Sequence, residues 1–418
     1  MSSAQSPLNL ELMGPLVPPR SILMIKSHSM GVGDLLRSSA AWRALKNKWP
    51  QVQLHLLFLS KHAGYPTEEL ITEHPLLSSA QFLTIQNGHP GLPKSERPKV
   101  PFLKLVEEVI TTAKRCSPDW IIDFEPYGAR TSLLTWIATR SAGAKSLGVD
   151  QVFGRSIFYT ESAANVQAFA QARGLELPLE YTYRDFVVLA AWGIERGGIQ
   201  IELGETKKGG EVRSVLEREL IELIEPNEFT GSGSNRSVEK LSFNQNITSA
   251  PKSTPHNSVN QQPLVIGLNI GCGTPDAMYK RPDLKVLADC IRRVNQHCIS
   301  VWVLTGAPNE KEVNQEFINI YKSLYGEGLR ALDFAGRCSL SGLTGVINTC
   351  DIFISTDSGP YHMAVGLGRP TLVWFTYAEH SSFHDVSWCE RLIQPNAEEF
   401  VNAFNKLLNL PRSARQVS

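Results

Sequence analysis

Residues 351–375 read DIFISTDSGPYHMAVGLGRPTLVWF, and the order of residue types in them decides the fold class. An apolar, β-branched run (352–356) leads into a polar turn of Asp357, Ser358, Gly359 and Pro360. A short small-residue helix (361–367), a Gly368-Arg369-Pro370 stop and a second apolar run (371–375) follow. Strands apolar along their whole length are covered on both faces, as a parallel βαβ unit requires. Asp357 then stands at the carboxyl end of a central strand, the edge where open α/β sheets bind ligands. Pro360 suits a first helical turn, whose free N–H groups and dipole favour an anion such as a diphosphate. Asp357 or Ser358 would equally serve as an ordinary helix cap.

A chain of 418 residues exceeds one ordinary core and predicts two domains and a linker. Lys plus Arg and Asp plus Glu number 41 each, so no net positive field marks a general nucleic-acid binder. The seven cysteines include no CxxC pair, which favours neither a zinc knuckle nor a disulfide framework. They fit a reducing, cytoplasmic setting. No apolar run approaches the roughly 20 residues of a membrane span. Residues 1–20 lack a basic region followed by an apolar core and are expected to form a flexible leader.

The first half alternates strand and helix patterns. A buried strand over 21–26 runs into a turn containing Gly31 and Gly33, then into a helix over 35–48. Glycines there let backbone approach a ligand closely, although neither GxGxxG nor GxxxxGK[ST] is present. Asp34, at the mouth of that turn, is placed to accept the proton of an attacking hydroxyl, or to act as a first-turn charge favoured by the helix dipole. Further strands are expected over 52–59, 80–85, 120–124 and 146–149, and helices over 102–114, 127–139 and 181–192. The Pro-rich stretch between Asn87 and Lys104 reads as a surface loop whose cations Lys94, Arg97, Lys99 and Lys104 are candidates for meeting an anionic acceptor. Asp123 and Glu125 again lie at a strand's carboxyl end.

Residues 204–262 break the pattern. One helix is expected over 211–225, and the Ser-, Asn- and Pro-rich remainder has too few large apolar groups to offset its ordering entropy. The second half opens with a strand over 263–270 that exits into Gly271-Cys272-Gly273, followed by Lys280. Backbone donors plus one compact cation are what a phosphate site needs. Strands over 299–304 and 332–337 and a helix over 339–348 complete it, with Glu310 placed for ribose hydroxyls or as a helix start. Two α/β halves with glycines at strand ends imply a ligand in the cleft between them.

The run DFAGRCSLSGLTGVINTCDIFISTDSGPYHMAVGLGRPTLVWF, residues 333–375, resembles the C-terminal half of the heptosyltransferase-type glycosyltransferases of family 9. GDLLRSSAAWRALKNKWP (33–50), residues 119–150 and the strand–glycine–Lys280–Pro282 segment extend the resemblance. It implies an α/β GT-B architecture, two Rossmann-like domains (21–203 and 263–400) facing a central cleft. A terminal helix near 397–408 would return to the first domain.

The implied reaction is inverting transfer of a sugar, heptose from an ADP-linked donor, onto lipopolysaccharide at the cytoplasmic face of an envelope membrane, with peripheral membrane contact. It implies no cofactor beyond the nucleotide-sugar co-substrate and no metal. Asp34 matches the general base and Lys280 the lysine at the donor phosphates. Gly271 and Cys272 match the adjoining small-residue turn, Glu310 the ribose contact, and Arg337 and Cys338 the backbone beside the nucleobase. Asp357, Ser358, Gly359 and His362 match the donor-binding signature. The chain departs from the family pattern at Asn269-Ile270-Gly271 in place of His-Pro-Gly, at Arg281 in place of Trp, and at residues 376–380 after the last strand. A GT-B sugar-nucleotide epimerase and an inactive sugar-nucleotide-binding protein are the alternative readings.

Overall fold

Strand and helix alternate through both halves of the chain, and each half closes one parallel sheet. The first half runs β1 (Ser21–His28), α1 (Val32–Leu36), α2 (Ser38–Lys48), β2 (Gln53–Ser60), α3 (Thr67–Thr72), β3 (Ser79–Thr84), α4 (Phe102–Cys116), β4 (Trp120–Asp123), α5 (Ala129–Ala142), β5 (Lys145–Val149), β6 (Glu161–Ala163), α6 (Val166–Arg173) and α7 (Phe186–Leu189). After α8 (Lys207–Ile224), the second half runs β7 (Leu264–Asn269), α9 (Leu284–His297), β8 (Ser300–Thr305), α10 (Lys311–Tyr325), β9 (Ala331–Asp333), α11 (Leu340–Thr349), β10 (Ile352–Thr356), α12 (Gly359–Gly366), β11 (Thr371–Phe375), β12 (Cys389–Ile393) and α13 (Ala397–Leu408). The computed structural model describes residues 14–28, 32–60, 67–85, 100–224, 263–272, 275–377 and 383–411. Lys94, Arg97 and Lys99, and the insertion beyond residue 224, lie outside the described residues.

The sheets are six-stranded, ordered β3-β2-β1-β4-β5-β6 and β12-β11-β10-β7-β8-β9, and every pairing is parallel. Both share one doubly wound topology, with the strand order reversing between β1 and β4 and between β7 and β10. Alternate residues of a strand feed opposite faces. Leu23, Ile25 and Ile121 pack with Leu105, Val109 and Leu134 of α4 and α5, whereas Ile22, Met24 and Ile122 share the other core with Trp42 of α2. In the second sheet Ile266, Leu268 and Trp302 meet α9, α10 and α13, and Val265, Val301 and Phe353 meet α11 and α8.

Several expectations are corrected. Residues 181–192 form a 3-10 turn (Tyr181–Asp185), the short α7 and a second 3-10 turn (Ala190–Trp192). The bend turns the Asp185 carboxylate inward onto Lys26. The strand expected over 332–337 stops at Asp333, because the chain leaves the ladder at Gly336, whose φ of 66° belongs to the left-handed region. The edge strands β6 and β12 and the helices α3 and α6 were not foreseen. Helix α13 does not return to the first domain: Phe400, Phe404 and Leu407 bury it against the outer face of the second sheet.

Residues 201–224 make the bridge instead. Arg43 of α2 grips the Glu202 carboxylate with Nε at 2.8 Å and Nη2 at 2.6 Å, and the Leu203 amide donates to the Gly366 carbonyl at 2.8 Å. Helix α8 then lies on α11 so closely that a Cβ on Gly345 would sit 1.8 Å from the Gly209 carbonyl oxygen. At that crossing the Thr206 and Thr344 hydroxyls donate to the Ser341 carbonyl, and the Ser341 hydroxyl donates to that of Thr206.

Candidate active site

The two topological switch points face each other where α1 packs against α12. On the N-terminal side β1 leads into α1, which carries Asp34. Its carboxylate accepts from Arg37 Nη1 at 3.0 Å, three residues on and one turn away. Arg37 is in turn backed by Asp185, whose Oδ1 lies 3.5 Å from its Nε. Asp185 also takes Lys26 Nζ on both oxygens at 2.8 Å, and accepts from the Ser38 hydroxyl. Lys26 and Asp185 are almost wholly buried. Burial pushes the Asp185 carboxyl up, but Lys26, Arg37 and the bonds it accepts outweigh that and hold it below the ordinary carboxylate range. Burial dominates for Lys26 and lowers its ammonium despite Asp185. The carboxylates at the end of β4 have structural partners: Asp123 accepts from Arg155 Nη2 and the Tyr159 hydroxyl, both at 2.8 Å, and Glu125 accepts from the Ser27 amide at 3.1 Å.

On the C-terminal side the exits of β7, β8 and β10 are stitched together by short polar side chains. Asn269 Nδ2 donates to the Gly271 carbonyl at 3.0 Å and to the Ser358 hydroxyl at 3.2 Å, and Thr356 Oγ1 donates to the same carbonyl at 2.9 Å. A Cβ on Gly271 would sit 1.7 Å from Glu310 Oε1, so only glycine lets that buried carboxylate lie between the strand ends. Glu310 Oε2 accepts from the Ala307 amide at 2.8 Å. Cys272 rests on Thr356, and burial pushes its thiol up, which keeps it neutral. Lys280 Nζ donates to Asp357 Oδ2 at 2.8 Å and to the Asp357 carbonyl at 3.2 Å, and the Tyr377 hydroxyl donates to the same carboxylate. Burial raises the Asp357 carboxyl, yet His362, Lys280 and Tyr377 together hold it below its usual range.

For Ser358 the capping alternative does not hold. Ser358 occupies the cap position of α12, but its hydroxyl makes no cap bond and points at Asn269 and Ser355 instead. The Asp357 carboxylate is engaged by Lys280 and Tyr377. The start of α12 is thus not capped by the Ser358 side chain.

The two sides meet at that helix start. A Cβ on Gly359 would lie 3.2 Å from the Val32 side chain, so α1 and α12 approach end to end. His362, one turn into α12, is buried, and burial pushes its imidazole down to about 4. Asp357 from its own domain and Asp34 from the other act on it in the opposite sense, while Lys280 and Arg37 act with burial. Asp34 and Lys280, from opposite domains, therefore both act electrostatically on His362. Among the described residues no group of three or more His, Cys, Asp or Glu converges as a metal-ligand set.

Residues 278–411 match the family model described as glycosyltransferase family 9 (heptosyltransferase). About a third of the chain, in its second half, thus resembles glycosyltransferase family 9. With that match the chain is a glycosyltransferase. A search of curated proteins found no match. The fold extends beyond the matched span. A glycosyl transferase family 9 structure from Veillonella parvula superposes with a TM-score of 0.60 at 15% identity, covering 92% of this chain and 97% of that one. The E. coli ADP-heptose lps heptosyltransferase II gives 0.56 at 15% identity over 92% and 98% of the two chains. E. coli heptosyltransferase WaaC with ADP gives 0.54 at 12% identity over 93% and 100%. The whole chain therefore has the two-domain GT-B fold of these enzymes.

Within the matched span, Lys280, Asp357, Ser358, Gly359 and His362 converge, with Gly271, Cys272 and Glu310 on the adjoining strand exits. Arg337 and Cys338 sit further along the same edge, where Gly336 packs on Pro308. The Arg337 guanidinium is held by the Glu219 carboxylate of α8 through both terminal nitrogens. Lys104 is exposed at the start of α4. The sequence reading did not single out Arg37, Asp185 or His384 for the site, nor the bond from Tyr377 to Asp357. None carries a motif, and only the likeness of residues 33–50 to the family brings Arg37 into view.

Proposed function

We propose that the protein is an inverting glycosyltransferase that moves a sugar from a nucleoside-diphosphate donor, ADP-heptose by class, onto a hydroxyl of a lipopolysaccharide-type glycolipid. The observation that carries this reading is the convergence of Asp34 from one domain with Lys280 and the start of α12 from the other around His362. Asp34 takes the proton of the acceptor hydroxyl as its oxygen bonds to the anomeric carbon. The bond from that carbon to the diphosphate oxygen breaks on the opposite face, which inverts the centre. Negative charge growing on the diphosphate is met by Lys280 and the amides of α12. Glu310, buried between the β7 and β8 exits, receives ribose hydroxyls. The WaaC structures matched in fold contain ADP and ADP-2-deoxy-2-fluoro heptose, which supports a donor of this type.

A lipid-linked acceptor at the cytoplasmic face of an envelope membrane is supported by the apolar side chains that the first domain leaves in water. Leu103, Tyr127, Phe153 and Ile157, each at least 64% exposed, all follow carboxyl ends of its strands, on the edge that bears Asp34. Exposed apolar patches mark interaction surfaces. No helix among the described residues is long and apolar enough to cross a membrane, so contact would be peripheral.

Lys280 and the helix start supply the positive charge that a divalent ion supplies elsewhere, so transfer is expected to proceed unchanged in excess EDTA. The assay is release of nucleoside diphosphate from ADP-heptose with and without a heptose-deficient lipopolysaccharide acceptor. Acceptor-dependent release in EDTA is the predicted result. Loss restored by Mg²⁺ would refute metal independence, and isomerisation of the donor without acceptor would replace the transferase reading by the epimerase one.

A further inference from the structure

Beyond β11 the chain departs from the family pattern, and this departing segment returns a histidine to the site. His384 is wholly buried, and its Nε2 lies 2.8 Å from Nδ1 of His362. Its backbone amide donates to the Tyr361 hydroxyl at 3.0 Å, and the rings of Tyr361, His362 and His384 pack with centroids 4.6 to 5.3 Å apart. Burial pushes His362 down to about 4 and His384 well below its usual value, so both rings are neutral near pH 7. Two neutral imidazole nitrogens at hydrogen-bond distance share one proton, and one ring must donate.

The surrounding charges choose which. The groups facing the pair are Asp357 and Tyr361 at the start of α12, Lys280 from the loop before α9, Asp34 and Arg37 from the first domain, and Arg196 from the turn that follows Trp192, with Cys389 of β12 behind Tyr361. If His362 donated from Nδ1, its Nε2 lone pair would remain on the side of the ring away from His384. Of the charges acting on that ring, Asp357 and Asp34 outweigh Lys280 and Arg37, and the balance favours a proton on the free nitrogen over a lone pair. The bond must then run from His384 to His362.

We infer that His384 is a positioning residue: it donates its Nε2 proton to Nδ1 of His362 and so fixes His362 as the tautomer with a free Nε2–H. Resting on the proposed function, that N–H is a neutral donor to an oxygen of the leaving diphosphate. It adds a hydrogen bond without adding a charge that would compete with Lys280 for Asp357. The geometry resembles that of ligand-holding histidines, whose second ring nitrogen is fixed by a neighbour and whose loss costs roughly 10- to 100-fold.

The test uses the full chain labelled with 15N-histidine and long-range 1H–15N correlation, which separates protonated from unprotonated ring nitrogens. In the unsubstituted protein without substrate, His362 is expected to show protonated Nε2 and bare Nδ1. His384→Gln keeps an N–H donor and should retain that signature and the unsubstituted kcat within about threefold. His384→Phe removes the donor and should lose the single tautomer, with kcat falling roughly 10- to 100-fold. A His362 protonated on Nδ1 in the unsubstituted protein overturns the inference, and so does an unaltered His362 signal in a folded His384→Phe. The spectrum needs no turnover, so the expected tautomer in a protein that transfers no sugar would sink the transferase reading alone.

Discussion

Asp34→Asn is expected to lower kcat for transfer by about 10²- to 10⁴-fold, the range a positioned general base contributes, while nucleoside-diphosphate affinity stays within about twofold. Asparagine matches aspartate in volume, so α1 keeps its packing, and Arg37 keeps Asp185 as its second partner. What disappears is the only group in α1 able to take a proton from an incoming hydroxyl. The proposed donor site lies on the other domain, around Lys280, so donor affinity should scarcely register the change. Steady-state kinetics with saturating acceptor, beside a calorimetric titration of ADP, read the two quantities separately. Transfer at the unsubstituted rate would remove Asp34 from the mechanism.

Asp185→Asn should carry the largest stability loss of any single change near the site. Its carboxylate is the common partner of Lys26 and Arg37 in a nearly dry environment, with side-chain exposures of 1% for Asp185 and Lys26. Removing one member of such a buried set leaves an uncompensated charge and costs about 3–5 kcal/mol. In domains of this size that corresponds to a fall in Tm of roughly 6–20 °C. Lys26, whose ammonium is already disfavoured by burial, is expected to respond by releasing its proton. The double variant Lys26→Met/Asp185→Leu avoids both buried charges and should recover much of the loss. The pH dependence has a definite sign. The folded carboxyl of Asp185 is held below its unfolded value, so its contribution is complete above the unfolded carboxylate pKa and disappears as pH falls through the folded one. The gap in Tm between the unsubstituted protein and Asp185→Asn should accordingly close below about pH 4. Equal melting at pH 7 would show that the cluster contributes nothing net.

Local pattern made the sheets readable, and tertiary pairing hid the rest. The strands at 352–356 and 371–375 coincide with β10 and β11, because runs apolar on both faces, bounded by turn residues, have few alternative placements. The short edge strands escaped for the opposite reason. Glu161-Ser162-Ala163 is three residues with one buried side chain, too short for any period. Asp185 and Lys26 are 159 residues apart, and Arg337 and Glu219 are 118 apart. No spacing rule connects such positions, and a charge beside β-branched residues reads as a solvated one. His384 lies only 22 residues from His362, yet the segment between them includes a full strand and a stretch without periodicity. Glu310 was visible as a residue type near a strand end. That it needs Gly271 and Gly306 to make room is visible only in three dimensions. The same is true of α13, whose apolar stripe predicts a buried helix without saying which domain buries it.

The division of labour between the domains is open to a direct binding measurement. Lys280→Met removes the cation and also releases the Asp357 carboxylate it holds, so a diphosphate would lose an attraction and meet an uncovered negative charge. Calorimetric titration of ADP into the unsubstituted protein, Lys280→Met and Asp34→Asn should show at least a tenfold loss for Lys280→Met, about 1.4 kcal/mol, and near-unchanged affinity for Asp34→Asn. Equal affinity in the unsubstituted and Lys280→Met proteins, or loss in Asp34→Asn alone, would contradict a diphosphate held by the second domain and a proton taken by the first.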